Sequence, residues 1–195
     1  MNKIVLASGS PRRKQLLEWA AIDFDIIVAP TEEVFPEHLS PAEAAIYVAR
    51  QKALAVQRSS SYRSQDRRLP ILAADTMVVC ENRIVGKPAD RDDAIRILEF
   101  LSGKKHEVVT GVVILNENAE ESFADITEVW FHELTNNQIK FYVDRYKPYD
   151  KAGAYAIQEW IGVTGIQRIN GDFYNVMGLP VSRVVRELGE MGFKI

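Results

Sequence analysis

Ser8, Gly9, Ser10, Arg12 and Arg13 stand together in "ASGSPRRKQLL", between an apolar run and a segment with helical periodicity. Amides left free at a helix start, the positive end of its dipole, hydroxyl donors and guanidinium forks are the parts of a phosphate or carboxylate site. The same residues also describe a capped, solvated helix start, and locally the two readings stand side by side. The spacing is neither that of a P-loop nor that of a Gly-x-Gly-x-x-Gly dinucleotide turn.

Downstream lie groups that could complement an anion site. Asp75 follows the apolar run "ILAA" at an expected strand end, where a carboxylate can bind a divalent cation, take a proton from water, or simply bond a nearby turn. Glu32 and Glu33 offer a second carboxylate or a solvated acidic loop. In "VGKP", Gly86 allows close backbone approach and Pro88 fixes the turn, which leaves Lys87 as a point charge suited to a phosphate. Lys52 and Lys151 read more simply as solubilising side chains. "DKAGAYAIQ", Asp150 to Gln158, reads as a turn followed by a small-residue strand. Cations around phosphates, with acids able to place a metal and a water, are what phosphoanhydride chemistry demands. That combination does not choose among a phosphatase, a kinase and a pyrophosphatase.

Elements of the required kinds surround these residues. "KIVLA" reads as a buried strand, followed by a helix with Ser10 as cap, Pro11 in its first turn and Leu16, Leu17 and Ala20 or Ala21 on its apolar face. "FDIIVAP" predicts a second strand ending at Pro30. Ser40, Pro41 and Glu43 form a capping box ahead of the helix "AEAAIYVARQKALAVQ". Arg58 to Arg68 predicts a mobile loop, and "LPILAAD" with "TMVVCENRIVGKP" a buried strand and a hairpin around Glu81 and Asn82. "DRDDAIRILEFLSG" is an amphipathic helix with Gly103 past its end. Two long strands joined by "NENAEE" follow, then a helix capped by Thr135 and Gln138, and a last helix beginning at Pro180. Interleaved strands and helices predict an α/β or α+β class with a mixed sheet.

The chain has 195 residues, 47% hydrophobic and 26% charged, with a net charge of -3. Such a length suits a single domain over residues 1–195, and the charge argues against a general nucleic-acid binder. Cys80 is the lone cysteine, and His38, His106 and His132 lack metal-ligand spacing; no disulfide or cysteine-based zinc cluster is expected. "IVLA" is too short for the apolar part of a signal peptide, and no apolar run is long enough to span a bilayer. A cytoplasmic protein without a membrane partner is expected.

In order along the chain, "ASGSPRR", "AADT", "GKP", "DKAGAYAIQ" and "NVMGLP" resemble the Maf family of nucleoside triphosphate pyrophosphatases. The resemblance covers nearly the whole chain. It implies an elongated α/β fold related to inosine triphosphate pyrophosphatases, two-lobed with a central cleft, and metal-dependent hydrolysis of a nucleoside triphosphate to monophosphate and pyrophosphate. Asp75 matches the family's catalytic acid, while Ser8, Arg13, Glu33, Lys52 and Lys87 match its phosphate and metal pocket. Ser10 joins the phosphate contacts, and Glu33 with Asp75 would hold Mg2+ or Mn2+. Arg12, Thr76 and Gln158 match the branch acting on dTTP, UTP and modified pyrimidine nucleotides. A Gln158 amide can accept from the uracil or thymine N3–H while donating to a ring carbonyl. The biological purpose stands open between nucleotide-pool cleaning and control of division.

A reading from another class is a non-catalytic phosphate or nucleic-acid binder linked to cell-division control, using Arg50, Lys52, Arg58, Arg63, Arg67 and Arg68 against the single acid Asp66. An acid beside the anion site weakens such binding unless a metal intervenes, so Asp75 and Glu33 favour the enzyme. No stable nucleic-acid partner is expected. The apolar face of the last helix leaves a homodimer open, although such a face usually packs on its own core.

Overall fold

A computed structural model of the chain describes residues 3–64, 69–116 and 119–193. The elements are β1 (Lys3–Leu6), α1 (Pro11–Trp19), β2 (Asp23–Ile26), α2 (Pro41–Arg58), α3 (Ser60–Arg63), β3 (Ile71–Cys80), β4 (Arg83–Val85) and α4 (Arg91–Leu101). There follow β5 (Lys105–Asn116), β6 (Ala119–Phe131), α5 (Asn136–Tyr146), a 3-10 turn (Ala152–Ala154), α6 (Trp160–Gly165), β7 (Ile166–Asn170), α7 (Phe173–Met177) and α8 (Val181–Glu190). Among the described residues the strands form a seven-stranded sheet of order β2-β1-β3-β5-β6-β7, with β4 on β3. β1 pairs in parallel with β2 and β3, whereas β4 is antiparallel to β3 and β7 to β6. The expected mixed α/β class is therefore what the chain adopts.

The chain forms two compact units: residues 1–75, 110–125 and 178–195, and residues 76–109 and 126–177. In the first unit Val5, Ile71, Ala73, Val113 and Leu115 from three strands, with Ala7 just after β1, pack with Ala49, Ala53 and Val56 of α2 and with Tyr62. Alanines on α2 suit its close approach to β5. A Cβ added to Gly111 would stand 2.3 Å from backbone atoms of Ala45 and Ile46, inside van der Waals contact, so only glycine fits. In the second unit His106, Phe131 and Tyr155 meet edge to face, with ring centroids 5.0 to 5.4 Å apart. There α4 packs against α5, and Arg91 grips both carboxylate oxygens of Asp144 at 2.6 and 2.9 Å.

Local signals that close their own hydrogen bonds match the structure. Ser40 and Glu43 bond reciprocally ahead of α2, as do Thr135 and Gln138 ahead of α5. The hairpin between β3 and β4 turns at Glu81 and Asn82, both at positive φ, which matches the twist of the strands it joins. Other expectations are corrected. Ser10 occupies the cap position of α1 without a side-chain cap bond, and Arg13, Leu16 and Leu17 are the buried residues of that helix. β2 stops at Ile26 rather than Pro30. Asp75 lies in the middle of a continuous ten-residue β3, not at a strand end.

The start of the expected loop from Arg58 to Arg68 is instead helical. Ser59 caps α3 by accepting from the Tyr62 amide, and the buried Tyr62 ring sends its hydroxyl to the Leu69 carbonyl at 2.7 Å. Residues 65–68 of that loop, and Glu117 and Asn118 of the "NENAEE" turn, lie outside the described residues. Asp150 to Gln158 holds a 3-10 turn and no strand. In α8, Val184 and Leu188 are buried, while Val181 and Val185 are half-buried.

Candidate active site

Five of the expected residues make side-chain contacts in the first unit, in two groups: Arg13 with Ser8, and Lys52 with Asp75 and Glu33. β1 delivers the chain to Ser8, and the turn into α1 brings Arg13 back over it. Arg13 Nη1 donates to Ser8 Oγ at 3.2 Å, and the Ser10 amide donates to the same oxygen at 3.2 Å. Arg13 Nε donates to the Gly178 carbonyl at 2.8 Å, within the quoted "NVMGLP". Both Ser8 and Arg13 are buried. Burial lowers the Arg13 pKa from its ordinary value; the Arg12 charge adds to the lowering, while Asp75 and Glu33 oppose it. Ser8, not Ser10, thus provides the side-chain oxygen that orders this turn. Its glycine neighbour is loosely surrounded, with only Val28 within 3.9 Å of an added Cβ.

Lys52, on α2, is the hub of the acids. Its Nζ lies 2.6 Å from Asp75 Oδ1 and 2.7 Å from Glu33 Oε1. The Lys52 and Asp75 side chains are 15% and 12% exposed, so this ammonium compensates a carboxylate largely withdrawn from water. Lys52 is therefore a structural partner of the acids, not a solubilising residue. Two hard oxygen donors already converge on one cation, a donor set that suits Mg2+ or Mn2+. Among the described residues no group of three or more His, Cys, Asp or Glu could hold a metal ion. A divalent ion here would complete its shell with substrate phosphate oxygens and water, as Mg2+ commonly does.

Thr76, Lys87 and Gln158 belong to the second unit. Thr76 follows Asp75 along β3 and is half-buried; successive strand residues face opposite sides. Lys87 is exposed beside the buried Pro88. A Cβ on Gly86 would meet nothing within 4 Å, so the expected close approach is absent; instead the Gly86 carbonyl accepts from the Gly153 amide at 3.1 Å. That bond ties the Lys87 loop to the segment bearing Gln158. Gln158 is exposed at the end of a buried run from Gly153 to Ile157.

Lys151 is also misjudged as solubilising. It is buried, 2.8 Å from Asp150 and 3.6 Å from Glu159. Glu159 and Tyr142 entered no sequence motif, although the first directly follows the quoted "DKAGAYAIQ". Cys80 is buried, and desolvation raises its pKa, which removes it as a nucleophile.

A match over most of the chain joins this geometry to the ordered motifs: the family model described as Maf-like protein fits residues 3–191. The chain belongs to the Maf family. A Maf relative from Cytophaga hutchinsonii, a "dTTP/UTP pyrophosphatase", is 48% identical over 96% of this chain and 84% of its own length. One of the same description from Bacillus cereus is 46% identical over the whole of this chain and 98% of its own length. A third, from Bacillus anthracis, is 46% identical with the same coverage. In this Maf chain the basic segment of the binder reading is partly neutralised: Arg50 pairs with Glu120 and Lys52 with Glu33 and Asp75. Asp66, Arg67 and Arg68 lie outside the described residues. No helix among the described residues is long and apolar enough to cross a membrane.

Proposed function

We propose that this chain hydrolyses nucleoside triphosphates, foremost dTTP, UTP and modified pyrimidine nucleotides, to the monophosphate and pyrophosphate. The observation that carries the reading is one lysine joining Asp75 and Glu33 within the unit that holds the buried Arg13–Ser8 turn. A passive anion binder gains nothing from carboxylates there. The relatives described as dTTP/UTP pyrophosphatases support the substrate class.

In this reading Ser8, Ser10 and the amides at the start of α1 take phosphate oxygens. Arg13, fixed by Gly178 and Ser8, presents its charge without rearranging, while Lys52 and Lys87 neutralise charge developing on the phosphates. Asp75 accepts the proton of the water that attacks the α-phosphorus. The bond from that phosphorus to its bridging oxygen breaks, and pyrophosphate leaves with the electron pair. Asp75 and Glu33 would hold Mg2+ or Mn2+, which when bound would supply charge stabilisation at the phosphates. Arg12, Thr76 and Gln158 choose the base. We infer a cytoplasmic role in cleaning the nucleotide pool, without a membrane or stable nucleic-acid partner.

The test incubates the protein with Mg2+ and a panel of triphosphates and identifies the products. Monophosphate with pyrophosphate from dTTP or UTP is the expected result; release of orthophosphate alone would sink the reading.

A further inference from the structure

Gln158 sits in a turn closed by the Glu159 amide donating to the Ala156 carbonyl at 3.1 Å. One side chain holds both ends of that turn. The buried Tyr142 hydroxyl accepts from the Ala156 amide at 3.2 Å and donates to Glu159 Oε2. The other oxygen of Glu159 faces the buried Lys151 ammonium at 3.6 Å. α6 presses directly on the turn: a Cβ on Gly162 would lie 1.7 Å from the Ile157 carbonyl oxygen, so this position requires glycine. The backbone on each side of Gln158 is thus pinned, while its own side chain is left exposed.

We propose that Tyr142 is a positioning residue for base selection, acting through Gln158. The inference rests on the reading that Gln158 contacts the base. Uracil offers Gln158 its N3–H and an adjacent carbonyl, and guanine offers the same pair as N1–H and O6, but farther from the sugar. An amide can bond either edge, so hydrogen-bonding pattern alone does not separate them. Distance does, provided that the turn carrying the amide does not yield. Tyr142, supported by the Glu159–Lys151 pair, supplies that stiffness.

The experiment compares kcat/KM for UTP and GTP, with Mg2+, in the full chain and in Gln158→Ala, Tyr142→Phe and Glu159→Gln, recording thermal midpoints alongside. Tyr142→Phe keeps the ring and removes both hydroxyl contacts. Expected is an approximately tenfold fall in the UTP-over-GTP preference for Tyr142→Phe and for Gln158→Ala, chiefly through a raised KM for UTP. Glu159→Gln, which retains an oxygen for Tyr142 but loses the charge facing Lys151, shifts the preference in the same direction. A Tyr142→Phe protein that melts earlier but keeps its preference, beside a Gln158→Ala protein that loses it, overturns the role of Tyr142 and leaves the proposed hydrolysis standing. Unchanged preference in both overturns base selection by Gln158 and this inference with it. Should Tyr142→Phe fail to fold, Glu159→Gln decides: a reduced preference supports the clamp and an unchanged one overturns it. Absence of pyrophosphate from every triphosphate in the unsubstituted protein removes the hydrolysis reading itself.

Discussion

Single atoms set the tolerance of the turn into α1. Ser8 Oγ accepts from both Arg13 and the Ser10 amide, so Ser8→Ala leaves a buried guanidinium short of a partner. It is expected to lower stability by about 1–3 kcal/mol in urea unfolding; an unchanged midpoint would show that the turn does not depend on this oxygen. Asp75→Asn keeps an oxygen for Lys52 and removes the proposed base. Its kcat with dTTP and Mg2+ is expected to fall about a hundredfold or more while the circular dichroism spectrum is retained, and near-normal turnover would take Asp75 out of the chemistry. The residue types at this turn were legible in sequence, but the division of labour between its serines was not. Either hydroxyl could reach the turn, and the choice of Ser8 depends on Arg13 being drawn over it by the Gly178 carbonyl.

Elements that carry their own start and stop chemistry were the easiest to read. The capping boxes at Ser40 and Thr135 and the turn at Glu81 and Asn82 are closed by residues three or fewer positions apart. β7, α6 and α7 escaped notice because each is only five or six residues long, too short for periodicity to emerge. The helical start of the expected loop escaped for another reason: its polar composition hides one buried tyrosine whose hydroxyl is bonded 7 positions away. The packing of α2 on β5 is likewise invisible until Gly111 is seen against Ala45 and Ile46. Gly111→Ala must push backbone from backbone, and a loss of about 1–3 kcal/mol is expected by denaturant titration. A midpoint equal to that of the unsubstituted protein would refute the contact.

At the scale of the whole molecule, acid should be a selective threat. Burial takes the His106 pKa from its ordinary 6.5 down to about 4, with Tyr155 bonded to Nε2 and Phe131 against the ring. The unfolded chain therefore binds more protons between these values, and stability falls as pH drops from about 6.5 toward 4, by an amount of the order of 3 kcal/mol in full. His106→Asn should flatten that part of the urea-midpoint profile, and an equally steep profile in the variant would assign the loss elsewhere. Chelation should separate function from fold: with no cluster of three potential metal ligands among the described residues, excess EDTA is expected to abolish pyrophosphate release and leave the melting temperature unmoved. Sequence alone determined the α/β class, the two capping boxes, the hairpin and the ordered motifs of the family, because each follows from near neighbours or from residues in order. Only the tertiary structure decided that Lys52 joins acids 19 and 23 positions away, that Arg13 rests on a carbonyl 165 positions away, and that Tyr142 grips the turn at Gln158. Contacts of that span exist only once strand order and helix packing have brought remote backbone together, and no local preference encodes them.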